Sequence, residues 1–242
     1  MLHGWGAHSG AWGRFADCLA SDFRLHLFDL PGHGRLRDEY EHVGWKSFAD
    51  EVGDRFPGAH WLGWSLGGLL ALSALLRSPD SIGRLVLIST SASFLQQAHW
   101  PAGMNADDFD AFRIGIEQDH QAALKRFVTL QAHGTGGATG VRQELLACLD
   151  AAVPSKAALL DGLDALAGTD LSARLDGIQN PVMLIGGERD LVASPAAIEQ
   201  TAKLIPGAVY RSVPDAGHAP FISHPGELCA LVSSFLRQGS PA

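Results

Sequence analysis

Ser65, Asp190 and His218 are the residues of this chain whose types and order could carry out nucleophilic catalysis. A serine hydroxyl is a poor nucleophile at neutral pH. It needs a base to take its proton, and the base needs an acid to orient it. Ser65 lies in Gly63-Trp64-Ser65-Leu66-Gly67, a G-x-S-x-G pattern. Such a serine sits on a sharp strand-to-helix turn with its Oγ held out at the top of a sheet. Glycine is needed on both sides because bulkier residues would clash with the adjoining strand and helix. A chain with 28 glycines also produces this pattern by chance, so the flanks must decide. His60-Trp61-Leu62 before it reads as a strand, and Leu66 to Leu76 after it as an apolar-periodic helix.

Where the nucleophile sits on this kind of turn, the partners follow in the order Ser, Asp or Glu, His. Asp190 lies in Gly186-Gly187-Glu188-Arg189-Asp190, after the apolar run Val182 to Ile185. His218 lies in Asp215-Ala216-Gly217-His218, after Val209 to Val213. The interval from Ser65 to Asp190 leaves room for an inserted segment, and that from Asp190 to His218 fits one helix and one strand. Rivals remain open at this point. Glu188 competes as the acid, while Asp215 reads better as a turn residue. His224 competes as the base, although His224-Pro225 reads as the entry to the last helix. The other histidines lack metal-ligand spacing, and no metal is expected.

Attack on a carbonyl creates an oxyanion that needs hydrogen-bond donors. The Leu66 amide, next after the nucleophile, is one. His3-Gly4-Trp5-Gly6 fits the early loop that supplies the second, through the Trp5 amide. Trp5 and Trp64 are expected to wall an apolar pocket, which favours an acyl chain over a sugar or phosphate.

These groups must be positioned by a sheet. Phe23–Leu30, His60–Gly63, Arg84–Ser89, Pro181–Gly186 and Ala208–Val213 read as strands. Trp45–Phe56, Leu66–Leu76, Ser194–Leu204 and Pro225–Arg237 read as helices. The alternation predicts an α/β fold with a mostly parallel sheet covered on both faces, its functional groups at the carboxyl ends of the strands. From Ser93 to Leu171 the rhythm breaks into helical stretches at 107–116, 121–131, 141–151 and 155–166. The expected organisation is a core of residues 1–92 and 172–242 with a helical lid at 93–171. Disorder is expected only at Gly239 to Ala242.

Bulk properties exclude other classes. The 242 residues fit one domain, and 46% hydrophobic content with 18% charge is that of a globular protein. A net charge of −8 argues against nucleic acid or an anionic membrane as partner. No apolar run reaches spanning length, and the N-terminus has no signal-peptide pattern. Cys18, Cys148 and Cys229 are odd in number and widely spaced, which is neither a disulfide framework nor a zinc pattern and suits a reducing cytosol.

The motifs together resemble the α/β-hydrolase superfamily, and within it the carboxylesterases of biotin synthesis. The matching stretches are Leu2 to Gly6, Leu25 to Gly34, Trp61 to Gly68, Trp100-Pro101, Arg126 to Gln131 and His218 to Pro225. The resemblance implies a Ser65–His218–Asp190 triad and substrate contacts at Trp5, Ser65, Leu66, Phe127, Val128, Thr129, Leu130, Gln131 and His218. It implies hydrolysis of the methyl ester of a pimeloyl chain on acyl carrier protein, by a cytoplasmic monomer without cofactor. A general short-chain esterase or lactonase, and an inactive ligand-binding remnant, are the alternatives. The family's first two strands and most of its third precede the His-Gly-Trp-Gly turn, whereas Met1 stands almost at it. The expectation is therefore missing N-terminal strands, an open sheet edge and either an upstream start or a shortened chain. The family also grips its acidic carrier with basic lid residues. Arg126 matches best, with Arg142 and Lys125 after it, among acids that folding would have to segregate.

Overall fold

The structure, a computed structural model, describes residues 1–38 and 45–238. The tail at 239–242 lies outside the described residues. Among the described residues four strands, β1 (Ala59–Trp64), β2 (Ile82–Ile88), β3 (Val182–Gly187) and β4 (Val209–Val213), form one sheet in that order, all parallel. The helices are α1 (Gly13–Leu19), α2 (Trp45–Arg55), α3 (Leu66–Arg77), α4 (Ala106–Ala132), α5 (Ala138–Ala151), α6 (Lys156–Gly168), α7 (Pro195–Leu204), α8 (Pro220–Ser223) and α9 (Pro225–Arg237). Leu85 to Ile88 and all of β3 are buried, as parallel strands covered on both faces require. Among the described residues no helix is long and apolar enough to cross a membrane.

Helices α4 to α6 form an insertion between β2 and β3. Its two ends meet: Ser93 bridges Asp170, and the Leu171 amide donates to the Ala92 carbonyl at 2.9 Å. The Ala92 amide is in turn fixed by Thr201 Oγ1 of α7 at 2.9 Å. The helical stretches at 107–116 and 121–131 join in α4 across a kink at Asp119 (φ −148°, ψ 88°). Asp119 Oδ1 accepts the Ala122 amide at 3.0 Å and so caps the second half.

Two expectations are corrected. Phe23–Leu30 is not a continuous strand. Its ladder contact is Phe28 with Leu2, which also bridges Gly63 on the other side. Met1 and Leu2 lie beside it, and among the described residues the rest of the segment forms no ladder. An apolar groove lined by Leu2, Phe23, Phe28, Phe56 and Leu62 flanks this place. The cysteines also differ. Cys18 of α1 and Cys229 of α9 form a disulfide across a sequence separation of 211 residues, leaving Cys148 free. Wide spacing concealed the pair because the helix packing, not the sequence, brings the two together.

Candidate active site

Ser65 follows β1 and precedes α3 with φ 54°, ψ −118°. Such a positive φ is strained for a residue with a Cβ. The turn closes because its glycines lack side chains. A Cβ on Gly63 would stand 2.5 Å from Gly68 Cα, and one on Gly67 2.4 Å from the Leu2 and His3 carbonyl oxygens. Gly67 thus lets the Ser65 turn press directly on the early loop. Thr90 Oγ1 supports the turn from below, reaching the Ser65 carbonyl at 3.2 Å.

The loops carrying Asp190 and His218 meet each other, and Trp64, the residue before Ser65, touches the second. Asp190 accepts from His218 Nδ1 at 3.0 Å through Oδ1 and at 2.8 Å through Oδ2. Both side chains are buried, at 1% and 0% exposure for His218 and Asp190. Oδ1 also accepts the Val192 and Ala193 amides at 2.8 and 3.0 Å, which fixes the carboxylate. A carboxylate at Nδ1 keeps the proton there and leaves Nε2 as the acceptor. Among the described residues Ser65 Oγ makes no hydrogen bond to His218. Such bonds are often long before substrate binds. Trp64 links the two instead, its Nε1–H donating to the His218 carbonyl at 2.8 Å.

The early loop is held by His3. Its Nδ1–H donates to the Gly4 carbonyl at 2.8 Å, and its Nε2 accepts the Leu30 amide at 2.9 Å. Burial and the neighbouring His33 lower its pKa to about 3, which keeps the ring in the neutral form this pairing needs. His33 is likewise lowered to about 4 by burial. Burial raises the Asp29 pKa, but hydrogen bonds from Ser9 and Arg35 outweigh it and hold the carboxyl below its ordinary range. Trp5 reaches across to the insertion, donating to the Leu159 carbonyl at 2.8 Å and packing edge-on against Phe112 and Phe127. Neither the Trp5 nor the Leu66 amide donates to an acceptor among the described residues. Leu66 opens α3, where first-turn amides have no helical partner.

Ser65 and Trp5 open onto a cavity of about 420 Å³. The insertion supplies much of its wall, including Phe109, Phe112, Phe127 and Leu163. Asn105, Asp108 and Ser194 are its polar members besides Ser65.

The sequence of residues 1–231 matches the model of the alpha/beta hydrolase family. The chain belongs to that family. The hydrolase is 36% identical to a pimeloyl-[acyl-carrier protein] methyl ester esterase from Nitrosospira multiformis, over 98% of this chain and 93% of that protein. It is 37% identical to one from Nitrosomonas europaea, over 93% and 90%. Among solved structures it is similar to an esterase from Exiguobacterium antarcticum. That match has a TM-score of 0.88 at 22% identity and covers 98% of this chain and 91% of the other. An enol-lactonase from Burkholderia xenovorans shares the fold with a TM-score of 0.79 at 22% identity, over 98% and 90%.

The hydrolase distributes the remaining candidate residues unevenly. Of residues 127–131, Phe127 and Leu130 line the cavity. Val128 is buried in the core, Thr129 is exposed toward Arg142, and Gln131 turns its carbonyl to the His218 amide at 3.1 Å. One helix cannot aim consecutive residues at one point, since each is rotated about 100° from the last. The Leu66 side chain is fully buried and away from the cavity. Trp64 is no cavity wall either: it packs against Trp12, Phe221 and His218. Glu188 is exposed and accepts from Ser212 Oγ at 3.3 Å. Asp215 takes a left-handed turn conformation, φ 56°, and His224 caps α9. Sequence reasoning missed the bond from Trp64 to His218 and the role of His3. The buried histidine of the early loop was the available signal for the second.

Proposed function

We propose that this hydrolase is a serine carboxylesterase that cleaves the methyl ester of pimeloyl-[acyl-carrier protein]. The observation that carries the reading is the buried Asp190–His218 pair behind a strained Ser65 that opens on an apolar cavity. Ser65 Oγ attacks the ester carbonyl while His218 Nε2 takes its proton. The Trp5 and Leu66 amides hold the oxyanion. His218 returns the proton to the departing methanol, then draws one from water as that water attacks the acyl-serine. The free carboxylate leaves and Ser65 recovers its proton. No cofactor enters these steps.

The aromatic cavity suits an aliphatic acyl chain, and the relatives' names supply the ester and the carrier. Helices α4 to α6 act as a lid, with the core at residues 1–92 and 172–242. Lys125, Arg126 and Arg142 are exposed on it and form no ion pair among the described residues. The acids Glu144, Glu117 and Asp164 are engaged elsewhere, with Arg14 and Arg113. These cations would meet the acidic carrier. A cytoplasmic monomer is the accompanying proposal; it rests on the resemblance alone, since the Cys18–Cys229 disulfide removes the argument from the cysteines.

Methanol release from the carrier-bound methyl ester tests the reading, with Ser65→Ala as control and a short nitrophenyl ester alongside. Ser65-dependent release from the carrier ester supports it. Hydrolysis of the small ester alone would replace it with a general esterase or lactonase, and ligand binding without turnover would make the chain a binding protein.

A further inference from the structure

The loop carrying His218 is bonded to the insertion almost residue by residue. The Gly136 amide donates to the Asp215 carbonyl at 2.7 Å. The Gly217 amide donates to Thr135 Oγ1 at 2.9 Å, and both partners are buried. The His218 amide donates to the Gln131 carbonyl at 3.1 Å. Arg189, beside the acid, donates to the Gly134 carbonyl at 2.8 Å and pairs with Asp215. The segment linking α4 to α5 can follow the loop this closely because Gly134 and Gly137 adopt φ 72° and 75°. The fit has no slack at Gly217, where a Cβ would stand 2.6 Å from Thr135 Oγ1 and 2.7 Å from the Gln131 carbonyl oxygen.

We infer that Thr135 is a positioning residue for the base, through which the insertion sets the place of the His218 imidazole. The inference rests on His218 being the base. Thr135 Oγ1 is the side-chain acceptor that the insertion offers this loop; Gln131 and Gly134 act through backbone carbonyls that substitution leaves in place. Losing it leaves the Gly217 amide buried and unpaired, one residue from the imidazole. The loop then relieves that burial by shifting, and the shift reaches Nε2. The cavity wall does not include Thr135, so substrate binding should be spared.

The test compares Thr135→Val, nearly isosteric but without the acceptor, with Thr135→Ser, which keeps it. Hydrolysis of a short nitrophenyl ester is followed for kcat and KM, with thermal melts. Thr135→Val should lower kcat about 10-fold, since small misplacements of catalytic groups weigh heavily on rate. KM should stay within about twofold, and Thr135→Ser should recover kcat to within about threefold of wild type. Wild-type kcat in Thr135→Val, or equal impairment of both variants, would overturn the inference. Should Thr135→Val fail to fold, Arg189→Gln opens the exposed end of the same seam. A lowered kcat at constant KM supports the inference, and an unchanged kcat overturns it. His218→Ala tests the base itself: turnover in that variant would refute the triad, whereas a dead His218→Ala beside a fully active Thr135→Val would refute only the positioning role.

Discussion

Asp190→Asn separates the acid from every other carboxylate near the site. Asp190 Oδ1 already accepts two backbone amides, from Val192 and Ala193, at 2.8 and 3.0 Å. The carbonyl oxygen of an asparagine can keep both. Its amide nitrogen then faces His218 Nδ1, where Oδ2 accepted at 2.8 Å. An NH₂ group only donates, so Nδ1 must become the acceptor and the ring proton moves to Nε2. A protonated Nε2 cannot receive the proton of Ser65. Activity should fall about 10⁴-fold, equivalent to ~5.5 kcal/mol of transition-state stabilisation. The fold should persist, because the backbone amides keep their acceptor and no volume is lost. The assay is kcat on a short nitrophenyl ester, with the thermal midpoint measured on the same preparation. Glu188→Gln is the comparison and should remain within about twofold of wild type, its side chain being exposed. A folded Asp190→Asn enzyme retaining more than about a tenth of wild-type kcat would refute the tautomer argument. Equal damage from Glu188→Gln would move the acid to that residue.

Stability should depend on pH through His3 and His33, whose folded pKa values of about 3 and about 4 lie below the ordinary 6.5. The unfolded chain binds protons first, so their contribution is whole above pH 6.5 and is lost progressively as pH falls, through about 4 for His33 and about 3 for His3. Urea midpoints should drop over that window and drop less in His33→Gln; a flat profile would contradict the burial argument. Arg126→Glu should slow turnover of a carrier-bound ester more than that of a small ester, and equal slowing would remove the docking role. Reducing Cys18–Cys229 should lower stability by about 2–5 kcal/mol, given the long loop it closes, while leaving kcat unchanged at 25 °C. Loss of activity on reduction would tie the α1–α9 seam to the site.

The sequence was most legible where chemistry depends on local geometry. Gly63 and Gly67 had to be glycine because backbone crosses backbone there, and that demand is written in five consecutive residues. The apolar runs of β2 and β3 disclosed strands covered on both faces. Trp64 was misread because the five-residue motif does not say which way the last residue of β1 turns. Packing decides it: Trp64 sits against Trp12, Phe221 and His218, and its Nε1–H donates to the carbonyl of His218, 154 positions away. The disulfide and the Thr135 seam share this character. Each joins residues that no periodicity relates, and only the packed helices bring them together. Phe23–Leu30 has strand composition, but a strand also needs a partner, and among the described residues its one bridge is Phe28 with Leu2.

The meeting of Ser93 with Asp170, and of Ala92 with Leu171, gives the insertion a narrow neck. A segment entering and leaving at one point can be exchanged without rethreading the sheet, so this neck is the natural splice site for chimeras with other hydrolases. The Thr135 seam sets a condition on such grafts. A foreign insertion joined at the neck would arrive without the acceptors that the Gly217 and His218 amides use. Transplanting specificity therefore requires carrying Gln131 to Gly136 along with the new walls, so that the host's base loop keeps its hydrogen-bond partners.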